Sequence, residues 1–366
     1  METQPQSTIT QPSAWPGEHE LAQPVTRPIW GRVALGIFVL TGVALVALLN
    51  GAASIPMLDA ARILIAAVPG VQIESTWPDT WDRIMIDIRL PRVVLAGLVG
   101  ATLAYAGATY QGVLRNPLAD PYLIGVAAGA GLGATIGFLL PLPVPFGVLS
   151  PVTLFAFIGA ILAVTVAYQF ARIGVRVPTT TLILAGVAIS ALASAATMFL
   201  YMMADDNLRT IFSWIMGSLN SASWNSIWLL LPYTVLMAIL VLAHARVLNV
   251  MQLSEDQAQQ LGINVERTKL ILIGSASLAT AVAVSVSGLI GFVGLIVPHM
   301  IRLIWGPDYR RLLPLTMIYG AAFLIVSDLI ARTAISPGEL PVGVVTAFFG
   351  APFFLYLLRR ARMTYL

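Results

Sequence analysis

Apolar residues along this chain come in long unbroken blocks rather than in the one-sided stripes of a water-soluble helix. The blocks fall near 30–49, 93–114, 121–140, 151–171, 179–203, 226–245, 270–287, 290–305, 312–331 and 341–358. Most approach the roughly 20 apolar residues that cross a hydrocarbon core of about 30 Å. The pattern therefore predicts an all-α integral membrane protein with ten transmembrane helices. The least marked division separates the seventh and eighth blocks, where only Ser287-Gly288 and nearby glycines signal a turn. Elsewhere the punctuation is plain. Asn116-Pro117 and Asp120-Pro121 bracket a polar turn, because proline disfavours helix at the residue before it. Gly97, Gly100, Ala104 and Gly107 precede that turn, and Gly125, Gly129 and Gly133 follow it. Small residues three or four apart let helix backbones approach closely in lipid.

The segments between blocks carry their own signals. Residues 1–28 are rich in Gln, Ser, Thr and Pro with no apolar core, and read as a disordered cytoplasmic tail. No cleavable signal is expected, because the first apolar run is a full span with no small-residue cleavage site after it. The outer loop 50–88 holds an amphipathic piece, IPMLDAARILIAAV, and a tryptophan-bearing piece, TWPDTWDRIMIDI, whose Trp77 and Trp81 are expected at the membrane interface. A second amphipathic helix is expected at 208–219. The polar loop 249–269 contains a helix start, with Ser254 and Gln257 spaced as in a capping box, and a stop at Gly262. Fourteen of the twenty basic residues fall on the side of the N-terminus. The positive-inside rule then puts both termini in the cytoplasm.

Composition and charge narrow the chemistry. The chain is 58% hydrophobic and 10% charged, against about 25% charged in a typical soluble domain. It has no cysteine, so disulfides and thiolate metal sites are excluded, and His19, His244 and His299 lie far apart with no metal-ligand spacing. Lys269 is the only lysine, and its context ERTKLIL is not a phosphate-binding loop, so this chain does not itself hydrolyse ATP. No nucleophile–base pair is visible, and no cofactor is expected. Asp328 and Arg332 lie four apart on one helix face, as an intrahelical ion pair would. Ionisable residues at mid-membrane depth, which ion-coupled carriers need, are nearly missing, so the driving force is expected from a partner protein.

Three ordered blocks resemble the FecCD-type permeases of importers driven by ATP-binding-cassette (ABC) ATPases, which carry iron chelates, haem and cobalamin. They are RLPR followed by a small-residue span and QGVLRNPLADPYLIGVAAGA; SGLIGFVGLIVPHMIRLIWGPDYRRLLPL at 287–315; and SDLIAR with ELPVGVVTAFFGAPFFLYLL at 327–332 and 339–358. The resemblance implies a ten-helix permease domain over 29–362, with spans two to five and seven to ten as inverted repeats. It implies a homodimer in the cytoplasmic (inner) membrane, surrounded by membrane lipid, with two ATPase subunits and a periplasmic or lipid-anchored substrate-binding protein. The loop 249–269 would couple to the ATPase through Leu253, Ala258, Leu261 and Gly262. Asn116, Leu118, Thr179 and Thr180 match the family's cytoplasmic gate, and Arg89, Arg92 and Arg332 match arginines that receive carboxylates of the binding protein. The competing readings are an ion-coupled secondary transporter acting alone, and an intramembrane enzyme or scaffold.

Overall fold

The computed structural model describes residues 29–363, except 52, 54, 69, 72–73, 141–149, 205–206 and 336–337. The tail 1–28 lies outside the described residues. Among those described, fifteen α-helices carry the architecture. Ten of them coincide with the ten apolar blocks: α1 Ile29–Leu49, α4 Leu90–Val113, α5 Val126–Leu139, α6 Pro151–Ala171, α7 Thr179–Tyr201, α9 Trp224–Ala243, α12 Val265–Ser287, α13 Val293–Trp305, α14 Tyr309–Thr333 and α15 Val342–Met363. The other five are short: α2 Met57–Ala66, α3 Asp79–Arg83, α8 Leu208–Ile215, α10 Ala245–Val250 and α11 Glu255–Gln260.

α4 is the axis of the bundle. Nineteen of its 24 residues are buried, and α9, α12, α13 and α14 pack around it. α5, α6 and α7 form a second packed group that meets the first through α12. α1 lies outside, against α14. The predicted small-residue faces are what permits this density. A Cβ added at Gly107 would collide with the backbone of Gly294 in α13, and one at Gly100 with the carbonyl of Gly320 in α14. In the second group, Gly129 meets Gly159 and Gly133 meets the carbonyl of Phe155, both in α6.

Two details depart from expectation. The tryptophan-bearing stretch is not a loop: α3 runs through one π-helical turn, Ile84–Arg89, directly into α4, so that helix begins well before the apolar block does. Trp77 is not an interface anchor either. It is 7% exposed, packs with Ile63 and Met85, and donates its indole N–H to Asp82 at 2.9 Å. The amphipathic pieces 55–68 and 208–219 do form helices, α2 and α8.

The glycine contacts make a direct test. Gly107→Ala should lower the thermal midpoint of the purified protein in detergent, since overpacking costs about 1–3 kcal/mol. Gly131→Ala, whose new methyl meets nothing within 4 Å, should leave it unchanged or raise it. Equal midpoints for the two variants would refute this packing.

Candidate functional site

Two of the ten long helices are short. α5 has 14 residues and α13 has 13, about 21 and 20 Å at 1.5 Å per residue, less than a hydrocarbon core. Both begin at a residue in the left-handed region, Gly125 at φ 93° and Phe292 at φ 69°. Contacts with α4 fix their level. A Cβ on Gly294 would lie 2.8 Å from the Leu103 carbonyl and 3.0 Å from the Pro121 ring, and Leu103 is near the middle of α4. The first turn of α13 and the 3-10 turn Pro121–Ile124 that precedes α5 therefore meet at mid-depth of the bundle.

Non-helical backbone at that depth must be satisfied by protein, because lipid offers no partners. Tyr122 does this for the second break: its hydroxyl donates to the Ile290 carbonyl at 3.0 Å and accepts the Ile290 N–H at 3.1 Å. A second debt comes from Pro298 inside α13, which has no N–H for the Gly294 carbonyl four residues back. Gln111 of α4 fills it, donating its amide N–H to Gly294 O and Leu295 O, each at 3.3 Å. Arg302 donates to the Gln111 Oε1 at 3.1 Å, which holds the amide in this orientation. The 287–290 turn is pinned from outside as well, since Ser218 N–H donates to Ser287 O at 2.9 Å, and Val342 N–H to Gly217 O at 2.9 Å. None of these supporting side chains was singled out from sequence. A glutamine in the middle of a buried apolar span was the available signal for Gln111.

At the end of α4 opposite Arg89, the expected gate residues sit on two turns. Asn116 Oδ1 accepts the Leu118 N–H at 2.9 Å, closing the turn, and the Leu118 side chain is 41% exposed. Thr179 and Thr180 open α7 behind Pro178; Thr180 is exposed and Thr179 half-buried. The polar loop 249–269 has the expected capping box, with Gln257 N–H on Ser254 Oγ and Ser254 N–H on Gln257 Oε1. Gly262 ends it at φ 83°. Leu253 and Leu261 are exposed at 46% and 65%, but Ala258 is 1% exposed and points into the chain's own core. Ala258 is therefore removed from any partner-facing surface. On a six-residue helix the face toward the body is set by how the loop folds back, which spacing alone does not reveal.

The three arginines expected on the outer face, Arg89, Arg92 and Arg332, are turned inward, none more than 8% exposed. Arg92 makes a two-oxygen contact with Asp328, at 2.9 and 3.2 Å, and a second with Glu339, at 3.1 and 3.0 Å. Arg332 lies 3.6 Å from Asp328, as its spacing suggested, and also donates to the Ala47 carbonyl. Arg89 donates to the Leu48 carbonyl at 3.2 Å and to that of Ala53. Together Arg89 and Arg332 satisfy carbonyls at the end of α1, which no N–H of that helix can reach. Glu339, with 28% of its side chain exposed, is the most open member of the cluster.

A multi-pass helical bundle broken at mid-depth, with an exposed apolar loop at one end, is the architecture of a transport permease. The chain belongs to the FecCD transport family, whose sequence model matches residues 37–360; it is a permease of the ABC-importer class. It is 47% identical over 282 residues to the cobalamin import system permease BtuC of Halobacterium salinarum, covering 77% of this chain and 75% of that one. It is 42% identical over 290 residues to the hemin transport system permease HmuU of Yersinia pestis, covering 79% and 86%. Among solved structures it resembles a metal-chelate type ABC transporter in an inward-facing conformation. That match has a TM-score of 0.77 and 28% identity, covering 90% of this chain and 99% of the other.

The Gln111 assignment predicts a specific rescue. Gln111→Leu should destabilise the protein by about 1–3 kcal/mol, because it strands a buried carbonyl. Adding Pro298→Ala, which restores the missing N–H, should recover most of that loss in thermal unfolding. No recovery would contradict the account.

Proposed function

We propose that this chain is one of two identical permease subunits of a metal-chelate importer in the cytoplasmic membrane, with cobalamin or haem as the class of cargo. The observation that carries it is the pair of short helices, α5 and α13, entering at mid-depth on opposite ends of a shared hydrogen-bonded joint. This is the arrangement in which a transporter forms a central pathway between repeats. The correspondence of α4–α7 with α12–α15 supports the inverted repeat. The relatives' names support the cargo class. Both termini face the cytoplasm, in keeping with the basic residues gathered on that side. A ferric siderophore is the other cargo that the family resemblance allows.

Energy comes from two ATPase subunits docked on the exposed apolar pair Leu253 and Leu261, with Gly262 setting the turn between them and α12. Closure of the ATPase dimer displaces this loop, and Asn116, Leu118, Thr179 and Thr180 close or open the cytoplasmic end of the pathway. A binding protein, periplasmic or lipid-anchored, docks on the outer face. Because Arg92 already holds two carboxylates, docking there proceeds by exchange, a partner carboxylate taking the place of the partly exposed Glu339. Guanidinium suits this, being permanently charged and able to grip each carboxylate with two N–H groups. Arg89 and Arg332 hold α1 and the cluster in place beneath it.

Reconstitution of the full chain with its ATPase and binding protein tests the reading. ATP-dependent uptake of radiolabelled cyanocobalamin, haemin and a ferric siderophore should be positive for at least one. Uptake that persists without the ATPase, driven by an ion gradient, would overturn it. Leu261→Asp should abolish ATPase association while the permease stays folded.

The outer face gives a separate expectation. Arg92→Glu should weaken binding-protein association at least tenfold at low salt, and wild-type association should weaken steeply as salt rises. Unchanged affinity in Arg92→Glu would remove the exchange mechanism.

A further inference from the structure

The only lysine in the chain is used in an unexpected place. Lys269, in the second turn of α12, is 3% exposed. Its Nζ lies 2.9 Å from Glu255 Oε1 and 3.5 Å from Glu266 Oε1, and donates to the Val177 carbonyl at 3.4 Å. Glu266 completes the grip on Val177 by accepting its N–H through Oε2 at 3.0 Å. The same Glu255 oxygen that meets Lys269 also accepts Arg115 Nη2 at 3.0 Å, while Arg115 Nη1 donates to the Leu253 carbonyl at 3.1 Å.

The positions of these partners give the cluster its meaning. Glu255 is the first residue of α11, inside the loop that carries Leu253 and Leu261. Val177 precedes Pro178 and the gate threonines Thr179 and Thr180. Arg115 directly precedes Asn116, and its backbone is in the left-handed region at φ 51°, where a residue with a Cβ is held only by its surroundings. One carboxylate and one ammonium thus join the partner-facing helix to the turns bearing both halves of the gate.

We infer that Lys269 is a positioning residue that transmits displacement of α11 to the Val177 turn, while the Glu255–Arg115 pair carries the same displacement to the Asn116 turn. The inference rests on the proposed docking of an ATPase at Leu253 and Leu261. A buried ammonium shared among two carboxylates and a carbonyl cannot let α11 shift without pulling Val177 or breaking its pairs. Loss of a charge from such a site is felt strongly by the partners left behind. The network is a contiguous physical connection between two distinct sites, and the Glu255–Lys269 contact is its junction.

The test uses the full reconstituted complex, with cyanocobalamin or haemin as cargo, whichever wild type imports. It reads cargo moved per ATP hydrolysed, ATPase association, and the yield of Thr180→Cys cross-links between subunits in each nucleotide state. Lys269→Met should leave ATPase association intact, lower cargo per ATP about tenfold, and remove the nucleotide dependence of cross-linking. Lys269→Arg, which keeps the donor and the charge, should retain most of the coupling. Glu255→Gln, which weakens the links to both Lys269 and Arg115, should lower coupling at least as far as Lys269→Met, and the double variant should be no worse than Glu255→Gln alone. Arg267→Ala, on the same turn but exposed, should behave as wild type.

Wild-type cargo per ATP in Lys269→Met overturns the inference. If that variant does not accumulate, wild-type coupling in Glu255→Gln overturns it equally. Loss of coupling in Leu261→Asp alongside normal coupling in Lys269→Met would sink only this inference, whereas normal ATPase association in Leu261→Asp would sink the docking reading beneath it.

Discussion

Backbone groups inside a bilayer have no water to fall back on, and this molecule breaks its backbone there twice. Each unsatisfied peptide group in hydrocarbon costs several kcal/mol, so the breaks exist only because other parts of the chain supply partners. The Tyr122 hydroxyl serves both peptide groups of Ile290, and Gln111 serves the carbonyl that Pro298 leaves open. Reaching those positions requires backbones nearly in contact. That is why glycine faces glycine where α4 crosses α13 and α14. The short helices, the glycine seams and the buried amide are one arrangement, and none is stable without the others.

Charge is distributed by the same logic. Among the described residues the ion pairs lie towards the two ends of the bundle, and the mid-depth turn carries the Asp120 carboxylate, which accepts the Tyr122 N–H. The cluster around Arg92 is nearly dry, and Asp328 has two arginines within reach. Removing either partner would leave a buried charge uncompensated, which typically costs about 3–5 kcal/mol. Such a cluster is a rigid fastener of α1, α4 and α14. The cluster around Lys269 differs in that Glu255 and Arg115 are each about one-third exposed. Water reaches those two groups, while the Lys269 ammonium between them and Val177 stays buried.

Much of this was legible in the sequence, for reasons that are local. Hydropathy blocks located all ten long helices, and the Ser254–Gln257 spacing and Gly262 marked the short helix of the polar loop. Residues 116–121 read correctly as a turn because proline acts on its immediate neighbour. What escaped was long-range. Hydropathy cannot tell burial in lipid from burial in protein, so Trp77 read as an interface anchor when it lies in a small core with Met85. It also missed that the third and eighth blocks begin with non-helical residues, because Tyr122 and Ile290 are apolar enough to blend into a span. Arg89, Arg92 and Arg332 carry the charge a docking surface needs. Only the positions of Asp328, Glu339 and the end of α1, up to 285 residues away, show that they face inward first.

The packing pattern says where motion can enter. α4 and α14 are locked through Gly100 and Gly320, and α5 and α6 through Gly129 and Gly159, so each pair behaves as a stiff unit. α7 is different: in its 18-residue apolar core 22% of positions are buried, against 72% in α12. The buried contacts of α7 are with α5, α6 and the 3-10 turn Pro121–Ile124. Its own start is gripped at Val177 by Glu266 and Lys269, both on the well-buried α12. The start of α7 is therefore tied to the place where the polar loop 249–269, α12 and the turns at Asn116 and Val177 converge.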